Sequence, residues 1–243
     1  MSLRALSLIL FAVLLFVPAC GGQAADSARA PATPAAEPSS PAPTPAPRRP
    51  GKADGPRIIF LGDSLTAGLG LDAAHSFPSL IQQRIDAAGY DYEIVNAGVS
   101  GDTSAGGLRR LDWAMREGDP KILIVALGGN DGLRGLPPEQ LEQNLSSIVD
   151  HGQKRGLVVI LAGMEAPPNF GADYTARFRA VYTTVAERHK VQLIPFLLDG
   201  VAGHAALNQP DGIHPNARGA EMVTDLVWRA LQPELAPRAT TAR

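Results

Sequence analysis

Cysteine is nearly missing: Cys20 is the single one in 243 residues, so a disulfide framework within the chain is excluded. His-Glu-x-x-His, Cys-x-x-Cys and clustered histidines are absent as well, so the spacings of a metal site are not there and neither a metal nor another cofactor is expected. There is no surplus of positive charge. A formal net charge of -2 gives no reason to expect nucleic acid or an anionic membrane surface as a partner. The apolar run from Leu6 to Val17, broken only by Ser7, falls short of the roughly 20 residues that cross a bilayer. Gly-x-Ser-x-Gly is also lacking, the near miss being Gly98-Val99-Ser100-Gly101, which argues against an ordinary α/β-hydrolase elbow. A phosphate-binding loop is lacking too, because Gly68-Leu69-Gly70 is followed by Leu-Asp-Ala.

What is present divides the chain unevenly. A hydrophobic content of 45% and a near-zero mean hydropathy are those of an ordinary soluble protein, one domain with accessory segments. Residues 1–19 read as an export signal, with Arg4 before the apolar run. Val17-Pro18-Ala19-Cys20 resembles the lipobox of bacterial lipoproteins, in which the cysteine becomes the lipidated first residue, although Pro18 replaces the small residue usual there. A lipid anchor at Cys20 would be the one link to a membrane. The alternative is a soluble periplasmic or secreted protein cut at a small-x-small site such as Gly22-Gln23-Ala24. Residues 20–56 form a tether: from Gln23 to Pro56 there are nine prolines and no aromatic, Leu, Ile or Val residue, so nothing there can build a core. Residues 57–232 make up the folded domain. Residues 233–243 are a short polar tail.

Within that domain short apolar runs alternate with helical patterns. Strands are expected at 57–61, 92–95, 122–127, 158–161 and 192–196, and helices at about 77–88, 104–117, 138–155, 172–189 and 216–231. Five strands joined by helical crossovers predict a flavodoxin-like three-layer α/β/α sandwich with a parallel sheet. Ligands in such folds sit beyond the carboxyl ends of the strands.

The unusual residues lie in those loops: Gly62-Asp63-Ser64-Leu65 after the first strand, Asn96-Ala97-Gly98 after the second, Gly128-Gly129-Asn130-Asp131 after the third, and Asp211-Gly212-Ile213-His214-Pro215 near the end. A serine attacks carbonyl carbon only when a base takes its proton and a third group fixes the tautomer of that base. Ser64, His214 and Asp211 meet this need, and Asp-x-x-His is short enough for one turn to present the carboxylate to one ring nitrogen. A developing oxyanion needs donors. The N–H of Ser64, the N–H of Gly98 and the side-chain amide of Asn130 are the candidates. Asp63 and Asp102 read as loop braces, and Tyr174, Phe178 and Tyr182 as core at helical spacing.

Together these blocks resemble the SGNH, or GDSL, hydrolases. Gly62-Asp63-Ser64-Leu65-Thr66-Ala67-Gly68, Ser100-Gly101-Asp102-Thr103 and Gly128-Gly129-Asn130-Asp131-Gly132-Leu133-Arg134-Gly135 are closer still to the bacterial thioesterase, lysophospholipase and arylesterase branch. The resemblance implies Ser64 as nucleophile, His214 and Asp211 as its partners, and Gly98 and Asn130 as oxyanion donors beside the Ser64 amide. It implies a small ester or thioester substrate. Leu65, Leu133, Arg134, Pro167, Phe170 and Ile213 are the candidate substrate contacts, the apolar ones suiting an acyl chain or aryl ester and Arg134 either an anionic head group or solvent. The competing readings are a tethered carbohydrate-deacetylating esterase and a non-catalytic binding module on the same fold.

Overall fold

The computed structural model describes residues 55–116 and 118–235. The expected signal segment 1–19, Cys20, nearly all of the tether and the tail from residue 236 onward lie outside the described residues.

Five parallel strands, β1 (Pro56–Gly62), β2 (Glu93–Gly98), β3 (Asp119–Ala126), β4 (Val158–Ala162) and β5 (Gln192–Ile194), form one sheet in the order β2-β1-β3-β4-β5. Ile58, Ile59, Phe60 and Leu61 of β1 and Ile122 to Val125 of β3 are almost fully buried. Such unbroken apolar runs mark central strands covered on both faces. Among the described residues, seven α-helices accompany the sheet: α1 (Ser64–Ala67), α2 (Phe77–Ala87), α3 (Ser104–Ala114), α4 (Gly129–Leu133), α5 (Pro138–Lys154), α6 (Ala172–His189) and α7 (Ala217–Leu231). Helices α2 and α7 pack together, and α5 packs between α3 and α6, giving the flavodoxin-like sandwich. Side-chain caps start several of them. Ser76 accepts from the Ser79 N–H, Thr103 from Gly106 and Asn216 from Gly219, each satisfying an otherwise orphaned first-turn donor.

Several boundaries differ from the expectation, and β3 begins at Asp119, three residues before the apolar run at Ile122. β2 continues through Asn96-Ala97-Gly98, which pair in register with Phe60, Leu61 and Gly62 of β1. β5 stops at Ile194 because Pro195 has no N–H to donate. α3 ends at Ala114, short of residue 117. The helices α1 and α4 are too short to show any periodicity, and both lie inside motif-bearing loops.

Chain order reverses between β1 and β3: from β1 the chain moves outward to β2 and returns to the other side. The loops after these two central strands therefore diverge and leave a crevice at their carboxyl ends. One loop carries Ser64 and the other Asn130.

Candidate active site

Ser64 opens α1 directly after β1. The turn is tight enough that a Cβ on Gly62 would come within 1.9 Å of Thr66 Oγ1, so the strand exit requires glycine. Asp63 caps the helix, its Oδ1 accepting from the Leu65 N–H at 3.0 Å, and Gly68 closes it at a φ of 75°. Ser64 is thereby presented at the start of a short rigid turn.

From the far end of the chain, the loop before α7 brings in its partner. His214 Nε2 lies 2.9 Å from Ser64 Oγ, and its Nδ1 lies 2.7 Å from Asp211 Oδ2. The other carboxylate oxygen, Asp211 Oδ1, accepts the N–H groups of Ile213 at 2.9 Å and His214 at 3.0 Å. These backbone bonds, His214 first, hold the Asp211 carboxyl down to about 2, with the ring of His214 adding to them. Asp211 is exposed while its histidine is mostly covered. The lowering therefore comes from hydrogen bonds within the loop.

The predicted oxyanion donors divide. Asn130, on α4, gives one amide hydrogen to the Asp102 carbonyl at 2.9 Å and aims the other at Asp63 Oδ2, 3.4 Å away. The second contact is long for a hydrogen bond, so that hydrogen is the one available to a substrate oxygen. Gly98 does not fit its expected place. Its N–H is given to Asn96 Oδ1 at 3.0 Å, and a Cβ there would come within 2.3 Å of the Ala67 backbone. Its bareness serves packing of β2 on α1. Gly101, three residues on, lines the substrate groove instead. It turns with a φ of 81°, and no described residue accepts its N–H. The signal was in the sequence, in Ser100-Gly101-Asp102-Thr103, and the early strand end assigned to β2 hid it.

A groove of about 490 Å³ opens at Ser64 and His214. Of the predicted substrate contacts, Leu65, Leu133, Pro167 and Ile213 line it. Arg134 and Phe170 do not. Arg134 folds its guanidinium onto the Gly101 carbonyl at 3.1 Å, and Phe170 leans on Tyr174 with ring centroids 5.3 Å apart. Leu69, Met164, Phe196 and Leu198 complete the apolar walls. Tyr174 is only partly buried, whereas Phe178 and Tyr182 belong to the core. Tyr182 also donates its hydroxyl to the Leu127 carbonyl at 2.9 Å, fixing the end of the β3 exit before Asn130.

Asp63 carries a cost of its own. Burial raises its carboxyl from 3.8 to about 6, opposed in part by the Leu65 N–H and the charge of His214. Below 3.8 both folded and unfolded chains hold the proton. Between 3.8 and 6 only the folded chain does, so stability falls as pH rises through that window and the loss is complete above it. The gap corresponds to about 3 kcal/mol. Urea unfolding at pH 4 and pH 7 is expected to show wild type losing on the order of 3 kcal/mol relative to Asp63→Asn. Parallel behaviour of the two proteins would contradict the assignment.

A serine within reach of a histidine that a carboxylate orients, with an amide group nearby and an apolar groove alongside, defines a hydrolase working by acyl transfer. The comparisons agree. Residues 60–222 match the GDSL-like Lipase/Acylhydrolase family, and the chain belongs to it. It is 45% identical to the Esterase TesA of Pseudomonas aeruginosa over 178 residues, covering 73% of this chain and 89% of that one. It is 36% identical to the Thioesterase 1/protease 1/lysophospholipase L1 of Escherichia coli, covering 72% and 83%. Among solved structures, the psychrotrophic esterase EstA from Pseudoalteromonas sp., inhibited by monoethylphosphonate, superposes with a TM-score of 0.70 at 33% identity, covering 73% of this chain and 97% of that one.

Proposed function

We propose that this chain is a serine esterase that hydrolyses acyl or aryl esters, and acyl thioesters by the same route, through an acyl-enzyme on Ser64. The observation that carries this reading is the pair of contacts from Ser64 to His214 and from His214 to Asp211, at 2.9 and 2.7 Å. His214 Nε2 takes the Oγ proton as the oxygen attacks the acyl carbon, and Asp211 steadies the resulting imidazolium. The Ser64 and Gly101 N–H groups and the Asn130 amide receive the charge on the carbonyl oxygen. His214 returns the proton to the leaving alcohol or thiol. Water, activated by the same histidine, then releases the carboxylic acid and restores Ser64. Esters, thioesters and lysophospholipids differ only in the group that leaves.

The groove argues for an acyl chain of more than a few carbons. A p-nitrophenyl ester series of increasing length is expected to show kcat/KM rising by up to about fourfold per methylene until the walls are filled, since each buried CH₂ contributes about 0.8 kcal/mol. A flat series with acetate as the best substrate would overturn this assignment.

We also propose export, with the domain held at the periplasmic side of a bacterial membrane through a lipid on Cys20. Support comes from the apolar run 6–17, the Val17-Pro18-Ala19-Cys20 string and the core-free stretch behind it. Detergent partitioning tests it: Cys20→Ala is expected to move to the aqueous phase, and unchanged partitioning would refute the anchor.

A further inference from the structure

The loop that supplies His214 and Asp211 has few bonds to the segment that supplies Ser64. Among the described residues, two hydrogen bonds join residues 203–216 to residues 62–76. One is the reactive contact between His214 and Ser64. The other runs from Gln209 Nε2 to the Leu69 carbonyl at 2.7 Å, across 140 positions of sequence.

Gln209 is bonded on both sides of the site. The same Nε2 donates to the Pro215 carbonyl at 2.9 Å. Its backbone N–H donates to the His214 carbonyl at 2.7 Å, and its own carbonyl accepts from Gly212 at 2.9 Å, closing the turn that holds Asp211. Leu69 in turn donates its N–H to the Ser64 carbonyl at 3.0 Å. A short chain of bonds therefore runs from the backbone around His214, through one amide, to the backbone of Ser64. Both side-chain partners are carbonyls, which only accept, so the nitrogen of the amide must face them. The fit is close: a Cβ on Gly70 would come within 2.1 Å of Gln209 Oε1. Pro210 stiffens the same turn through its fixed φ, and Gly212 supplies its left-handed residue at a φ of 71°.

We infer that Gln209 is a positioning residue: it sets the distance and direction of His214 toward Ser64 without touching substrate. The inference rests on the esterase reading above. Reactions of this kind lose rate steeply when the base is displaced by about 1 Å, and here the base sits on a largely exposed loop.

The test uses the whole protein with Gln209→Met, which keeps the side chain's volume and removes both side-chain bonds. The expected result is kcat lowered by about tenfold or more with KM within about twofold, because the substrate walls are untouched. In an Asp211→Asn background, where the ring is already poorly oriented, the same change is expected to add less than about threefold, since residues acting through one group are not additive. If the Met variant does not fold, Gln209→Asn gives the same readout with an amide one methylene short of the carbonyls. Ser64→Ala runs in parallel. Full turnover by Ser64→Ala would overturn the esterase reading and this inference with it. An inactive Ser64→Ala beside wild-type kcat in Gln209→Met would overturn the role of Gln209 alone, as would a loss that multiplies undiminished onto Asp211→Asn.

Discussion

Ser64→Ala is expected to lower kcat by at least about 10⁴ while leaving the fold intact. Loss of the nucleophile in the best-studied serine hydrolases costs on the order of 10⁶, and what survives comes from binding and oxyanion donors. The same remainder should be found here, because Asn130, Gly101 and the groove do not depend on the Ser64 hydroxyl. Folding is spared for a structural reason. The first turn of α1 is held by the Asp63 side chain on the Leu65 N–H, and among the described residues the Ser64 hydroxyl bonds only to His214. The melting temperature should therefore move by no more than a few degrees. A fluorophosphonate provides a second reading of the same variant, since it should label Ser64 in wild type and nothing after the substitution. Ser100 is the informative competitor: it also lines the groove and occupies the near-miss Gly98-Val99-Ser100-Gly101 string. Labelling that moves to Ser100, or survives at full strength, would place the nucleophile elsewhere.

How much of this arrangement could be read beforehand depended on whether the signal was local. The central strands were legible because Ile58 to Leu61 and Ile122 to Leu127 are unbroken apolar runs, which a strand covered on both faces demands. Ser64, Asp211 and His214 were legible because each sits in a short string whose spacing carries the chemistry. Gly98 was misplaced because the end of an edge strand has no such mark. Its pairing with Gly62 depends on a neighbour far away in sequence, and it shifts the free turn, with its unpaired N–H, on to Gly101. The groove was legible only in part. Leu69, Phe196 and Leu198 come from loops that share no motif and meet only through the strand order. Arg134 was chosen for its place after Asn130 and Phe170 for its loop after β4, whereas Arg134 binds the Gly101 carbonyl and Phe170 rests on the ring of Tyr174. Gln209 gave no signal, since its partners Leu69 and Pro215 are backbone carbonyls that any residue could supply.

Asp211→Asn isolates the orienting role of the carboxylate from its mere presence. In wild type Oδ1 is fixed by the N–H groups of Ile213 and His214, so Oδ2 alone faces Nδ1. An asparagine must keep its oxygen at the first position, because its NH₂ group there would meet two donors. The NH₂ then occupies the second position and faces Nδ1 with a donor. That nitrogen must accept, the ring proton moves to Nε2, and the atom facing Ser64 becomes a donor that cannot take the Oγ proton. The equivalent change in the serine-protease template costs about 10⁴ in kcat, and a loss of roughly 10²–10⁴ is expected here, the lower bound allowing for water around an exposed Asp211. Raising the pH should not recover it. The wild-type carboxyl is held to about 2 and is fully ionised near neutrality, so the defect is one of geometry and charge, not titration. Stability near neutral pH should hardly change, since the loop keeps both backbone bonds to the side-chain oxygen. The measurement is kcat for a short-chain p-nitrophenyl ester, with thermal melting of both proteins. Turnover within about threefold of wild type would show that Asp211 does not select the tautomer of His214. The ring would then have to be oriented by its backbone and by the bonds of Gln209 to the same turn.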